Sequence, residues 1–328
     1  MPKPSDKKSS RLLSVFLGVF GLILLALLFL NRVAISDYVK GLSYTPSSEM
    51  SSIRDSLSLT SSGARIFNAT FPALESRDDF NKSCESHNSE VSVLGCFTND
   101  KIHVYNVDSS DLPGIRESTT AHELLHAVWS RLSGLEKNNL IPLLESAYSE
   151  HLDVLKETIE SYGESERLDE LYVRLATQIP DLPDALESHY DNYFKDRSAV
   201  VAFYNSYAEP FSKLKSEIEN LSTELKNLES EISNRRSDYE SRLGTFNAEA
   251  SEFQTCANTL GCFVSEATFN ARKRELTSVA AELDDARNEL NSLITSYNEK
   301  VEIYNAHLLR SQDLQNLINS NSNLENIE

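Results

Sequence analysis

Residues that interrupt helices are scarce in this sequence, which has only 10 glycines and 9 prolines among its 328 residues. Such a composition favours a mainly helical protein and excludes a collagen-like chain. Cysteine is scarce too, with four copies. That number is too small for a scaffold built from disulfides, although an even count allows two bonds.

Positive charge is also in short supply. The chain has 50 acidic residues against 31 basic ones, which gives a net charge of −19 at pH 7. Nucleic-acid binding depends on neutralising phosphate groups, so we expect no nucleic-acid partner. Hydrophobic residues make up 40% and charged residues 25%, which excludes a wholly disordered chain and a polytopic membrane protein.

One long apolar run lies near the N-terminus, where Leu12–Leu30 contains no charged residue. A helix of that length spans about 28 Å, the thickness of a hydrocarbon core. A cleaved signal peptide, which is the alternative, has a shorter apolar region followed by small residues. Residues 1–30 carry four basic residues and one acidic residue, and this basic flank predicts a cytoplasmic N-terminus. We therefore expect a single-pass membrane protein with a cytoplasmic tail at 1–11, a transmembrane helix at 12–30 and an extracytoplasmic remainder.

All four cysteines fall in the extracytoplasmic part, where disulfides persist. Cys84 and Cys96 bracket a polar loop, and Cys256 and Cys262 bracket a short segment that contains a glycine. We predict that each pair is bonded and closes a short loop.

Local patterns predict the organisation between the membrane helix and the helical part. Residues 31–62, rich in serine and threonine, predict a linker. Residues 64–71 predict a short strand or turn. Two β-prone runs on either side of Asn99–Asp100 predict a β-hairpin. Helical patterns then continue from about Pro113 almost to the C-terminus.

The most informative residues are His122-Glu123-Leu124-Leu125-His126. Residues four apart share a face of a helix, and two imidazoles at that spacing can bind one Zn²⁺. The Glu123 carboxylate is placed to reach a water molecule at the metal. The alternative is that Thr120 and Glu123 form a capping box, which would leave the histidines as partly buried residues without a metal.

Residues Thr119–Leu132, together with the hairpin upstream, resemble the zincin metallopeptidases. Trp129 and Leu132 stand where the metzincin branch has glycine and histidine, so the resemblance is to the gluzincin branch. It implies one catalytic Zn²⁺ and a peptide or protein substrate, with Glu123 as the general base. It also implies a rim strand that pairs with the substrate, for which Lys101–Val107 is the candidate.

The gluzincin resemblance further implies a glutamate on a later helix as the third zinc ligand. We choose Glu170, in the run Asp169–Thr177, with Glu166 as the next candidate and an exposed carboxylate as the alternative. Glu170 points away from the apolar stripe of its helix. A ligand there requires a helix packed on two faces, with Val173 and Thr177 also buried. The resemblance implies a donor for the oxyanion too, and the candidates are His189, Tyr190 and Tyr193.

The C-terminal part carries a heptad pattern. Apolar residues recur in steps of three, four or seven from Phe211 to Phe253, with Arg235 and Arg242 at the two skipped positions. Every seventh residue from Phe269 to Tyr304 is apolar or aromatic. The short segment Cys256–Cys262 separates the two runs, which predicts an antiparallel coiled-coil hairpin at 209–328. Residues 63–208 then form the zincin-like domain.

The sequence as a whole predicts a mainly α fold. It combines an N-terminal transmembrane helix, an α+β zincin-like domain with a small β-hairpin and a C-terminal antiparallel coiled-coil hairpin. The predicted function is that of a membrane-anchored extracytoplasmic zinc metallopeptidase, with His122, His126 and Glu170 on the metal. The alternative is a non-enzymatic envelope scaffold, in which the coiled coil binds a protein partner and an inactive zincin-like domain serves for docking.

Overall fold

The computed structural model describes residues 7–84 and 94–320 and is mainly helical. It divides into two compact units, the first comprising Met1–Pro210 with the chain from Gln315 onward, and the second comprising Phe211–Leu314. The helices are α1 (Lys7–Leu30), α2 (Arg32–Gly41), α3 (Ser48–Ser56), α4 (Ser61–Ala69), α5 (Arg77–Ser83), α6 (Ile115–Arg131), α7 (Gly134–Glu150), α8 (Leu152–Ser161), α9 (Glu164–Gln178), α10 (Asp184–Tyr190), α11 (Arg197–Ala257) and α12 (Glu266–Ile318).

Helix α6 is central to the first unit. It packs against α9 on one side and against a small β-sheet on another, and α3 and α4 also contact it. Its buried side chains include Leu124, Leu125 and Val128, which join one continuous apolar core. A helix surrounded in this way has most of its positions fixed by neighbours, which makes it a rigid support for a site.

The sheet consists of β1 (Ala73–Glu75), β2 (Gly95–Thr98) and β3 (Lys101–Tyr105), with β3 in the middle. β3 runs parallel to β1 and antiparallel to β2. Asn99 and Asp100 connect β2 to β3 with φ angles of 51° and 61°, and such angles suit a tight hairpin turn and are tolerated by these two residue types. The predicted hairpin is therefore confirmed, although residues 91–93 of its first run lie outside the described residues.

The prediction that Lys101–Val107 forms an open rim strand is wrong. Because β3 pairs with a strand on each side, its hydrogen-bonding groups are already used. Within the described residues, β2 is the edge strand on the side of α6, and it packs directly against that helix.

The prediction of a linker at 31–62 is also wrong, because these residues form α2 and α3 and pack into the core. Met50, Ile53 and Leu57 are buried in it. Two of the serines and threonines that suggested a linker cap helices. The Ser47 side chain accepts a hydrogen bond from the Met50 backbone N–H, and Thr60 caps α4 in the same way. Residues 64–71, predicted as a strand or turn, belong mostly to α4.

Within the described residues, no single helix is both long and apolar enough to meet the criteria for a membrane span. The segments Val19–Leu30 and Arg32–Gly41 meet them only as a pair, with a bend of 63° between them. The described side chains of α1 are largely apolar and exposed, among them Phe20, Leu25 and Leu30.

The second unit contains the long parts of α11 and α12. Ion pairs join Arg235 to Glu289, Arg242 to Glu282 and Lys300 to Glu224. As the residue number rises along α11 it falls along α12, so the predicted antiparallel direction is confirmed. Knobs-into-holes packing of the seam stays a prediction.

Both predicted disulfides, Cys84–Cys96 and Cys256–Cys262, are present. The first joins the end of α5 to β2, and the second lies at the connection between α11 and α12. The predicted limits of the hairpin at 209–328 need correction at the C-terminal end. Residues 315–320 belong to the first unit, where Asn81 Nδ2 donates a hydrogen bond to the Ser320 carbonyl at 2.7 Å.

Candidate metal centre

Helix α6 carries the two histidines well inside its span. It begins after Gly114, which has a φ of 83° and lies so close to Phe203 that a Cβ atom would meet the Phe203 carbonyl at 2.7 Å. The Thr120 hydroxyl donates to the Arg116 carbonyl at 2.6 Å, one turn back along the helix. Thr120 is therefore an interior residue, and the capping-box alternative for Glu123 is wrong.

Helix α9 brings Glu170 to the same place. Its apolar stripe, which includes Leu171 and Leu175, is buried, and so are Val173 and Thr177 on the side that carries Glu170. The helix is therefore packed on two faces, as the choice of Glu170 required. The exposed carboxylate that was the alternative is excluded, because Glu170 is buried, whereas Glu166 is exposed.

His122, His126 and Glu170 form a cluster whose candidate ligand atoms all lie within 4.8 Å of one another. The two Nε2 atoms are 3.2 Å apart. The Glu170 carboxylate oxygens lie 3.7 Å from His122 Nε2 and 3.5 Å from His126 Nε2. Ligand atoms about 2.0–2.1 Å from a tetrahedral ion stand about 3.3 Å apart. The three residues therefore fit one small divalent metal ion.

Two further side chains hold this cluster in place. His126 Nδ1 lies 2.8 Å from Oδ1 of Asp169, which leaves Nε2 as the nitrogen that faces the other ligands. The Arg174 guanidinium Nε donates to Glu170 Oε1 and fixes the carboxylate. From the sequence, Asp169 was only one of several carboxylates after His126, and Arg174 was not identified. Arg174 lies four residues after Glu170, and this i, i+4 spacing was the signal that could have identified it as a partner of Glu170.

Burial and neighbouring charges together shift the pKa values of the three residues in the cluster. Burial lowers the pKa of His122 to about 3. Burial also opposes the charged form of His126, but hydrogen bonds with Asp169 and Glu170 outweigh it and raise the pKa of that imidazole to about 10. Burial would raise the pKa of Glu170, but His122, His126 and Arg174 hold it well below its usual range.

The formal charges around the cluster also suit a divalent cation. Glu123, Asp169 and Glu170 supply three carboxylates, and Arg174 supplies one guanidinium. A metal requires both imidazoles in their neutral form, so His126 gives up its extra proton on binding. In that state the group carries two negative charges in excess. A divalent cation would balance them in an environment where unbalanced charge is costly.

Glu123 lies between the cluster and the edge strand β2, and its side chain is buried. It packs against Gly95 so closely that a Cβ atom on Gly95 would come within 2.7 Å of both Cγ and Oε1 of Glu123. Glycine is needed here for close approach, since the side chains of Glu123 and Thr119 leave no room for a Cβ atom on Gly95. The strand and α6 therefore define the position of the Glu123 carboxylate.

A cavity of about 160 Å³ opens beside His122 and Glu123. Its walls include the side chains of Tyr162, Arg174, Tyr204 and Tyr207. The last two lie on the part of α11 that belongs to the first unit. The sequence analysis placed both in the zincin-like domain at 63–208 but identified neither as a site residue, because no local pattern connects them to the metal helix.

The structure does not bring His189, Tyr190 and Tyr193 to this cavity. His189 and Tyr190 pack against the buried Tyr172 instead, and Tyr193 packs against His189. His189 Nε2 lies 3.0 Å from the Tyr172 hydroxyl. The Tyr190 hydroxyl donates to the Tyr172 carbonyl at 2.7 Å. These residues therefore serve the packing around α9 and α10.

Comparison with models of protein families, with curated proteins and with solved structures finds no match to this chain. The site is therefore interpreted from its own geometry and chemistry.

Proposed function

We propose that this chain is a membrane-anchored, extracytoplasmic zinc metallopeptidase of gluzincin type. The observation that carries the proposal is the meeting of His122, His126 and Glu170 beside the buried Glu123, at the wall of an open cavity. Two imidazoles and one carboxylate are a ligand set typical of catalytic zinc, which keeps one further position for water or substrate. When bound, Zn²⁺ would act as a Lewis acid toward a substrate carbonyl and would lower the pKa of a bound water molecule toward 7.

The side chains of this chain then have separate tasks. Glu123 accepts a proton from water at its carboxylate and later returns that proton to the leaving amine. Asp169 holds the proton of His126 at Nδ1, which keeps Nε2 available as a ligand atom. Arg174 fixes the orientation of Glu170.

The cavity tyrosines are the candidates for the oxyanion donor. Burial raises the pKa of both Tyr204 and Tyr207 above the usual value, so their hydroxyls stay protonated at neutral pH. Such hydroxyls can donate to the oxygen of a substrate carbonyl as negative charge develops on it.

The charge-free run Leu12–Leu30 supports the membrane anchor. Its described side chains expose apolar surface along α1, and the basic residues before it favour a cytoplasmic N-terminus. The two disulfides support an extracytoplasmic location for the rest of the chain.

A non-enzymatic envelope scaffold is the second candidate, and one observation favours it. Leu260 and Val264, close to the Cys256–Cys262 disulfide at the end of the helical hairpin, are almost fully exposed. Exposed apolar side chains at the end of a helical hairpin suit the docking of a protein partner. In this alternative, the metal cluster stabilises the fold without catalysing a reaction.

The full-length chain, purified in detergent with Zn²⁺, tests the two candidates against each other. A fluorogenic peptide library is incubated with the wild type, with Glu123→Gln and with the exposed-site control Glu166→Gln. We expect cleavage by the wild type and the control, and loss of at least about 100-fold in Glu123→Gln, while zinc content stays equal in all three. Equal zinc without cleavage by any of them would favour the scaffold.

A further inference from the structure

Helix α2 has its apolar side turned outward. Ile35, Tyr38 and Val39, with the cap residue Leu42, follow the i, i+3, i+4, i+7 spacing that places them on one helix face. Their exposed fractions range from 42% to 69%. A surface helix of a water-soluble domain shows the reverse arrangement, with its apolar stripe toward the core.

The opposite face of α2 is charged and is bound to the rest of the unit. Asp37 is only 4% exposed, and its two carboxylate oxygens accept hydrogen bonds from Arg131 Nε at 2.9 Å and Nη2 at 3.0 Å. Arg131 Nη2 also donates to Asp100 in the hairpin turn, and Lys40 donates to the same carboxylate. These paired charges fix which side of α2 points outward.

A lipid surface is the partner that fits this exposed face. α2 follows directly after the charge-free run, with only Asn31 between α1 and α2, and the chain bends by 63° there. A tyrosine in the middle of the face and Arg32 at the start of the helix are typical of residues at a membrane interface. The charged face and its contacts with α4 and α6 exclude burial of the whole helix in hydrocarbon.

We infer that α2 lies in the lipid–water interface and holds the metal centre close to the bilayer. Arg131, which binds Asp37, is the last residue of α6 and comes five positions after His126, so about 8 Å of helix separates them. This inference rests on the proposed anchor and peptidase function. It assigns the substrate class as peptide segments that lie next to the membrane on the extracytoplasmic side.

Two matched tryptophan variants test the lipid contact of α2. Val39→Trp places a probe on the outward face of α2, and Val154→Trp places one at a similarly exposed position on α8. Each full-length variant is reconstituted into phosphatidylcholine–phosphatidylglycerol vesicles that contain a nitroxide on some lipid headgroups. We expect strong quenching of the added fluorescence at position 39 and little at 154. Equal quenching, or shielding of position 39 by a second copy of the chain, would overturn the inference.

The wild type itself reports on the metal centre, because the chain contains one tryptophan, Trp129, on α6. Energy transfer from Trp129 to dansyl headgroups measures how close α6 lies to the bilayer. We expect clear transfer in the wild type, and a loss when Ile35, Val39 and Leu42 are all changed to serine although α1 still anchors the chain. Unchanged transfer in that variant would contradict the role of α2.

Failure of the proposed function has a different signature. A chain that does not float with vesicles lacks the anchor, which overturns the inference as well. A chain that shows the expected quenching and transfer but no peptidase activity supports the position of α2 and contradicts only the enzymatic proposal.

Discussion

Nδ1 of His126 lies 2.8 Å from Oδ1 of Asp169, while Oε2 of the next residue, Glu170, lies 3.5 Å from Nε2 of the same imidazole. Two consecutive residues of α9 therefore contact the two nitrogens of one histidine. One contact sets the tautomer and the other adds a ligand atom to the cluster. The position of α9 against α6 thus determines both the ligand set and the orientation of its histidine.

Asp169→Asn tests this arrangement. An amide in place of the carboxylate weakens the hold on Nδ1, so we expect metal affinity to fall about 10- to 100-fold while the fold is retained. Competition with a chromophoric chelator measures the affinity, and circular dichroism checks the helices. Glu166→Gln, an exposed change on the same helix, should leave the affinity unchanged. Equal affinity in both variants would show that Asp169 does not orient the ligand.

Gly95→Ala tests the placement of Glu123. The new methyl group would lie 2.7 Å from Cγ and Oε1 of Glu123 and from Cγ2 of Thr119, so the strand and the side chains of α6 that face it have to shift, and the carboxylate shifts with them. Because a displacement of about 1 Å can cost about 100-fold in rate, we expect kcat to fall strongly while metal content is kept. Gly134→Ala, where a Cβ atom would meet no described atom within 4 Å, is the control. Full activity in Gly95→Ala would argue against Glu123 as the general base.

The cavity tyrosines give a third prediction. The double variant Tyr204→Phe/Tyr207→Phe should lower kcat by about 100-fold with little change in KM, because a donor to the oxyanion acts mainly in the transition state. Tyr193→Phe should keep its activity, since Tyr193 packs against His189 and does not line the cavity. Full activity in the double variant, with a loss in Tyr193→Phe, would instead support an oxyanion donor among the residues around His189.

The pair formed by Glu187 and Arg197 gives a prediction for stability. Arg197 is buried, and besides Glu187 it donates to the carbonyls of Ala176, Ile179 and Pro180. Glu187→Gln removes the carboxylate that pairs with this guanidinium, and we expect a loss of about 1–3 kcal/mol at pH 7. Thermal unfolding measures it, with the exposed change Glu145→Gln as control.

The same variant has a defined pH dependence. Burial would raise the pKa of Glu187, but Arg197 outweighs it and lowers the pKa below the usual 4.5. A lowered folded-state pKa contributes stability above pH 4.5 and loses it as the pH falls through the folded value. The difference between wild type and Glu187→Gln should therefore shrink below about pH 4.5. A difference that stays constant down to pH 3 would contradict this linkage.

Local patterns identified much of the fold and of the candidate site. The spacing of His122 and His126, the turn at Asn99–Asp100 and the pairing of the cysteines each depend on a few neighbouring residues, and the structure contains all three features. Glu170 could be chosen from the sequence on the condition that its helix is packed on two faces. The structure meets that condition.

The features that were missed depend on tertiary contacts. Residues 31–62 resemble a linker by composition, but their serine and threonine side chains cap helices whose apolar residues complete the core. The order of strands in the sheet cannot be predicted from β3 alone. Its second neighbour, β1, precedes α5 in the chain and is therefore not adjacent to β3 in sequence. Tyr204 and Tyr207 line the cavity because the first turns of α11 belong to the first unit, which local patterns did not reveal.

The zinc content of Glu170→Ala tests the central claim most directly. Full-length wild type, Glu170→Ala and the control Glu166→Ala are loaded with Zn²⁺ in detergent, dialysed and measured by elemental analysis. We predict about one zinc per chain in the wild type and the control, and a loss of affinity by orders of magnitude in Glu170→Ala with helices and disulfides intact. Stoichiometric zinc and full peptidase activity in Glu170→Ala would contradict the assignment of His122, His126 and Glu170 as the metal centre.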